Sequence, residues 1–113
     1  MSANVLEALD RALSSSDEPD DVLREAVRLL TEEPGITWAA IAFLERGDLV
    51  HGPAAGTPDE SRRRRVPIAY HGTPVGELWV DGTTDPAFLE RVAALVAGHA
   101  LIGWDTGGEA WIP

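Results

Sequence analysis

The stretch Arg65 to Gly82, R-V-P-I-A-Y-H-G-T-P-V-G-E-L-W-V-D-G, restricts the fold more than any other part of the chain. Two apolar runs, Val66–Tyr70 and Val75–Val80, flank His71-Gly72-Thr73-Pro74, and Asp81-Gly82 closes the second run. Apolar runs joined by a short connection containing glycine predict a β-hairpin. A hairpin alone is marginal in water, so the rest of the chain must pair with it and cover it.

The segments before it supply both. From Ser2 to Leu13 the apolar positions Val5, Leu6, Leu9, Ala12 and Leu13 recur at helical spacing, and Ser14-Ser15-Ser16 reads as a break. Asp17-Glu18-Pro19-Asp20-Asp21 opens a second helix, with acids at the positive end of the helix dipole and proline in the first turn. Its buried stripe is Val22, Leu23, Ala26, Val27, Leu29 and Leu30, and Pro34-Gly35 stops it. Ile36 to Leu44 is apolar on both alternating faces, the pattern of a central strand covered on both sides. Arg46-Gly47-Asp48 turns into a shorter strand, about Leu49 to Gly52, and Pro53 to Arg65 reads as a loop.

After the hairpin, Thr83-Thr84-Asp85-Pro86 is a helix start, with Asp85 as N-cap and Pro86 at the first position. Phe88, Leu89, Val92, Leu95, Val96, His99 and Ile102 give that helix a broad apolar face, ended by Gly103. The tail, residues 103–113, has no period but carries Trp104 and Trp111, two of the four tryptophans.

The composition limits function. At 113 residues, with a net charge of −10, the chain is one domain that repels phosphate backbones and anionic bilayers, so neither nucleic acid nor membrane is an expected partner. Zero cysteines exclude disulfides, thiolate metal sites and thiol nucleophiles. All nine basic residues are arginine, which removes Schiff-base chemistry and the P-loop lysine. No secretion signal is visible and the cytoplasm is the expected place.

Val66-Pro67-Ile68, Gly72, Val75-Gly76-Glu77-Leu78, Val80-Asp81 and the Phe88-x3-Val92-x2-Leu95-Val96 helix together resemble the last two strands and closing helix of GAF domains, relatives of PAS domains. The resemblance runs from about Asp21 to Ile102. It implies an α+β fold, GAF/PAS-like: an antiparallel sheet of four or five strands with the N- and C-terminal helices on one face. One domain over 1–113 is expected, with its core at about 17–102. Ligand-binding GAF domains roof the second sheet face with one or two inserted helices, and the Pro53–Arg65 loop is too short for two. The chain also lacks the Asn-Lys-Phe-Asp-Glu-type signature of cyclic-nucleotide GAF domains. GAF enzymes that reduce free methionine sulfoxide and bilin-attaching photoreceptors use cysteine, which is absent here.

The functional expectation is therefore a regulatory or sensory module without catalysis, not an enzyme, acting as a homodimer or on a protein partner through its helices. The alternative is a sensor that holds a small molecule, anionic ones included, on the open sheet face. For that alternative, Arg62, Arg63, Arg64 and Arg65 form the rim, because guanidinium forks match phosphate and carboxylate. In an extended conformation those four would alternate sides, and acids such as Asp59 and Glu60 would balance them. An unroofed sheet would expose Trp38 or Phe43. Trp104 and Trp111, with Leu95 and His99 on the last helix, are the expected residues for docking the tail or a partner. No catalytic residue, metal or cofactor is expected: His51, His71 and His99 have no ligand spacing, and no nucleophile elbow or phosphate loop is present.

Overall fold

The computed structural model describes residues 3–15 and 19–102. In chain order these form α1 (Ala3–Ser15), α2 (Pro19–Leu30), β1 (Ile36–Glu45), β2 (Asp48–Gly56), a single 3-10 turn at Glu60–Arg62, β3 (Arg63–Tyr70), β4 (Thr73–Gly82) and α3 (Pro86–Ile102). The four strands make one antiparallel sheet in the order β2-β1-β4-β3. The hairpin β3–β4 thus joins the older strand pair through β4, and β1 and β4 occupy the centre.

The core lies between one sheet face and the helices. Ala39, Ile41 and Phe43 of β1, Leu78 and Val80 of β4 and Ile68 of β3 meet Leu23, Val27 and Leu30 of α2 and Leu89, Val92 and Val96 of α3, all buried. The α2 stripe is buried at each of its six predicted positions. α1 packs on α2 and α3 and sends Leu9 into the core, fully covered. Asp85 caps α3, its carboxylate accepting the Ala87 N–H at 3.0 Å, as the Asp-Pro start predicts.

Both strand turns follow from their residues. Arg46 and Gly47 have φ of 52° and 86°, and His71 and Gly72 have 50° and 82°; paired positive φ values mark the two-residue turns whose twist matches a hairpin. At the sheet centre β1 and β4 approach so closely that a Cβ on Gly76 would lie 2.2 Å from the Ala42 carbonyl oxygen. Only glycine fits there.

The structure departs from the sequence reading in three places. α1 continues through Ser14 and Ser15, Ser14 returning its hydroxyl to the Asp10 carbonyl at 3.0 Å. The stretch 53–65 is mostly not a loop. β2 runs on to Gly56 by absorbing Gly52 and Pro53 in a bulge between the Ala40 and Ala42 pairings, a place where proline's missing N–H does no harm. β3 begins at Arg63, leaving only residues 57–62 as the connection. Third, strict alternation along Val75–Val80 predicts Val75 with Glu77 and Trp79 on one side and Gly76, Leu78 and Val80 on the other. A bulge between Ile68 and Ala69 of β3 instead leaves Val75 without an opposite residue, and Val75 turns into the helix-side core. Among the described residues no helix is long and apolar enough to cross a membrane.

Candidate functional site

The sheet face opposite the helices carries a connected polar and aromatic constellation. Its frame is strand register: Trp38 pairs with Asp81, Ala40 with Trp79 and Ala42 with Glu77, while Arg63 and Arg65 of β3 stand opposite Asp81 and Trp79 on the other side of β4. Period-two alternation therefore puts Trp38, Arg63, Arg65, Glu77, Trp79 and Asp81 on one surface.

Asp81 is fully buried. Its Oδ1 accepts from Arg63 Nε at 2.8 Å, and its Oδ2 accepts from Arg63 Nη2 at 2.9 Å and from the Asp59 backbone N–H at 2.6 Å. Burial pushes the Asp81 carboxyl upward, but the Arg63 fork and the Asp59 N–H outweigh it and leave the group below the usual aspartate value. The Arg63 guanidinium lies 4.4 Å from the Trp38 ring centre and 5.6 Å from that of Trp79. Arg65 follows at 4.7 Å from Trp79 and donates from Nε to Glu77 Oε1 at 2.7 Å, the same oxygen that takes the Trp79 indole N–H at 2.9 Å. His51 meets the Trp79 ring edge-on at 5.8 Å. Indole and guanidinium thus alternate along the face as Trp38, Arg63, Trp79 and Arg65, each cation over an aromatic ring and held by a carboxylate.

This arrangement changes what the predicted residues do. Trp38 is 4% exposed, not open as an unroofed sheet would leave it, and the Arg63 guanidinium lies against its ring. Phe43 is on the other face, 4% exposed in the helix-side core, so it cannot line this surface. The four arginines do not act as one cluster: Arg62 donates to the Thr83 hydroxyl, Arg63 and Arg65 hold Asp81 and Glu77, and Arg64 points to the opposite side, into a groove against α3. Glu60 is a minor partner of Arg63 at 3.6 Å. Leu95 is half-buried on the outer side of α3. The His99 side chain, Trp104 and Trp111 lie outside the described residues. Asp81, Glu77 and Trp79 are the members that the sequence reading missed, and cross-strand register was the signal for them.

Two grooves flank the helix layer. One, of about 750 Å³, runs between β3 and α3 and includes Arg64, Val66, Leu89, Glu90 and Ala93. The other, of about 440 Å³, lies between α1 and α3 and is lined by Leu6, Glu7, Asp10, Arg91, Ala94 and Leu95. Among the described residues no three histidine or acidic side chains converge as metal ligands would.

No protein-family model and no curated protein matches the sequence. Solved structures do match the fold. The GAF domain of an Acinetobacter phosphoenolpyruvate-protein phosphotransferase superposes with a TM-score of 0.72 at 14% identity, over 88% of this chain and 92% of that one. The chain has a GAF-like fold. A protein described as a GAF sensor from Burkholderia vietnamiensis gives 0.71 at 18% identity, covering 88% and 87% of the two chains. The free methionine-R-sulfoxide reductase of Neisseria meningitidis, solved with its substrate, gives 0.70 at 15% identity over 86% of each chain. This last likeness corrects the expectation that the chain is not an enzyme. The GAF-like fold is shared with enzymes, further reductases of this type among them, and gives no ground for excluding catalysis.

Proposed function

We propose that this chain is a GAF-like regulatory domain that acts by pairing with a second copy through the α1–α3 surface. The observation that carries the reading is α3 itself. Between Pro86 and Ile102 its only charged residues are Glu90 and Arg91, so the helix is apolar around nearly its whole circumference. A helix of that kind is normally covered on every side. Here the sheet, α2 and α1 pack against it, yet Ala94 is exposed and Leu95 half-buried at the groove shared with Leu6 of α1.

The charges bordering that groove favour a copy of the same chain. Glu7 and Asp10 line its α1 side and Arg91 its α3 side. A two-fold axis along the groove sets each Arg91 against the acids of the other copy, which is the self-complementarity that a symmetric dimer requires. The alternative, an anionic molecule held on the sheet face by Arg62–Arg65, has less support, because Arg63 and Arg65 already hold carboxylates of this chain. A cysteine-free acidic chain suits the cytoplasm.

Native mass spectrometry and light scattering over a dilution series test the proposal. A dimer mass with nothing added supports it, as does its loss in Arg91→Glu and its return when Glu7→Arg and Asp10→Arg are added. A monomer at every concentration overturns it. So does a retained small molecule on a monomeric chain.

A further inference from the structure

We infer that the cleft where β3 begins binds a phosphate group, held by the guanidinium groups of Arg62 and Arg64 and by the hydroxyl of Thr83. The cleft has a volume of about 400 Å³ and is lined by Ser61, Arg62, Arg63, Arg64, Gly82 and Thr83. It shares no residue with the α1–α3 groove, so phosphate binding and the pairing proposed there can each fail without the other.

The run Arg62–Arg65 divides into two pairs. Arg63 and Arg65 lie on the open sheet face and hold Asp81 and Glu77. Arg62 and Arg64 border the cleft, and among the described residues neither meets a carboxylate, in a chain with 19 acids. Arg62 holds only the Thr83 hydroxyl, and Arg64 holds nothing. The nearby acids are turned elsewhere. Asp81 is buried in the grip of Arg63, and Glu60 stands 3.6 Å from the same guanidinium. Asp59 takes the Ser61 O–H at 2.6 Å, and Asp85 takes the Ala87 N–H at 3.0 Å. None of the four lines the cleft.

The groups left over are donors. A hydroxyl that accepts from a guanidinium keeps its own hydrogen to give, and the Thr83 O–H has no acceptor among the described residues. Ser61 has spent its hydrogen on Asp59 and takes no part. Thr83 is itself held in place, its N–H donating to the Gly35 carbonyl at 2.9 Å, and Arg64 is set by its pairing with Val80. Two uncompensated cations and a spare O–H suit a phosphate monoester, with a charge of about −1.5 to −2 and three acceptor oxygens, better than the single charge of a carboxylate. Guanidinium forks also match phosphate oxygens in pairs. Arg64 borders the β3–α3 groove as well. There Val66, Leu89 and Ala93 offer apolar wall to the organic part of an ester, and Glu90 repels a second anionic group.

Inorganic phosphate, phenyl phosphate and benzoate, each titrated into the isotope-labelled protein, test the inference through amide and arginine Nε NMR shifts. Both phosphates should give saturating shifts at Arg62, Arg64 and Thr83, and benzoate should bind about tenfold more weakly. Arg62→Ala and Arg64→Ala should each weaken phosphate binding about tenfold, and Thr83→Val should weaken it less. Both arginines are exposed, so their loss leaves the fold, and the rest of the spectrum, unchanged. Arg46→Asn, which removes the same charge from the β1–β2 turn, should leave binding as it was. Tighter binding of phenyl phosphate, with added shifts at Leu89 and Ala93, would support the inference with an ester as the ligand; equal binding would support it with the free anion. Shifts that fail to saturate, that centre on Glu77 and Trp79, or that survive Arg64→Ala would overturn it. So would benzoate binding as tightly as phosphate.

Discussion

Arg63 grips Asp81 with the Nε and Nη2 of its guanidinium, at 2.8 and 2.9 Å, and the carboxylate it grips is wholly removed from solvent. The pair exists because of a bulge. Counting back from the Tyr70–Thr73 pair along a regular hairpin would set Arg63 beside Val80. The unpaired Val75 shifts the register by one, so that Arg63 stands opposite Asp81. A one-residue shift also exchanges faces, which is why the same bulge gathers Arg63, Trp79 and Asp81 on one surface.

Arg63→Ala should destabilise the domain by about 3 kcal/mol, since it strands a buried carboxylate; the lower end of the usual range applies because the Arg63 side chain is itself 19% exposed. Arg65→Ala removes the same chemistry from a side chain that is 51% exposed, and should change stability by no more than about 1 kcal/mol. Urea unfolding of the two variants measures the difference. Equal effects would mean that burial of Asp81 does not govern the pair.

Acid should act on the same carboxylate. Its folded-state value is below the ordinary one, because the Arg63 and Asp59 hydrogen bonds outweigh the upward push of burial. The unfolded chain therefore takes up the proton first. The contribution is complete above the unfolded aspartate value, about 3.9, and is lost as pH falls through the lower folded value. Thermal melts of wild type and Asp81→Asn should differ most near neutrality and converge under acid. A gap that widens on acidification would contradict the sign.

Much of the architecture was legible in the residues, and the reason is periodicity. Val22 to Leu30 could bury its apolar side only as a helix, and Asp85-Pro86 could hardly begin anything else. The strand patterns of Ile36–Leu44 and Val75–Val80 were likewise sufficient to place β1 and β4. The candidate site was not legible in the same way. Arg62–Arg65 looked like a charged loop because a run of four arginines has no apolar alternation, yet Arg63 and Arg65 are drawn into an edge strand by carboxylates 18 and 12 residues away. Trp38 looked exposed because nothing local covers it; a guanidinium from the edge strand β3, two strands away, lies over its ring. Both depend on the β1–β4 and β3–β4 registers, each of which shifts along its length, and such shifts leave little mark on composition.

Gly82 should tolerate substitution far less than Gly72, although both have positive φ, 130° and 82°. A Cβ on Gly72 meets nothing within 4 Å, so Gly72→Ala carries backbone strain alone, about 1 kcal/mol. A Cβ on Gly82 would come within 1.9 Å of the Gly35 carbonyl oxygen, an atom that also accepts the Thr83 N–H at 2.9 Å. Strain and overpacking then add, and Gly82→Ala should lose more than about 3 kcal/mol. Denaturant midpoints of the two variants check the ordering. A mild Gly82→Ala would show that the start of β1 can move away from β4.

Leu89 and Leu95 lie on the same helix and should fail differently. Leu89 is 1% exposed in the core, so Leu89→Ala should destabilise the monomer by about 2–5 kcal/mol at every protein concentration. Leu95 is half-buried at the α1–α3 groove, where the proposed pairing would supply the rest of its cover. Leu95→Lys can extend its ammonium to water in the monomer but not inside a symmetric apolar interface. It should therefore leave the far-ultraviolet dichroism intact while halving the mass in solution, and it should remove the concentration dependence of the melting temperature that a dimer confers. If Leu95→Lys unfolds the chain as Leu89→Ala weakens it, the outer side of α3 belongs to the core. If it stays folded and the mass is unchanged, pairing occurs elsewhere on the surface.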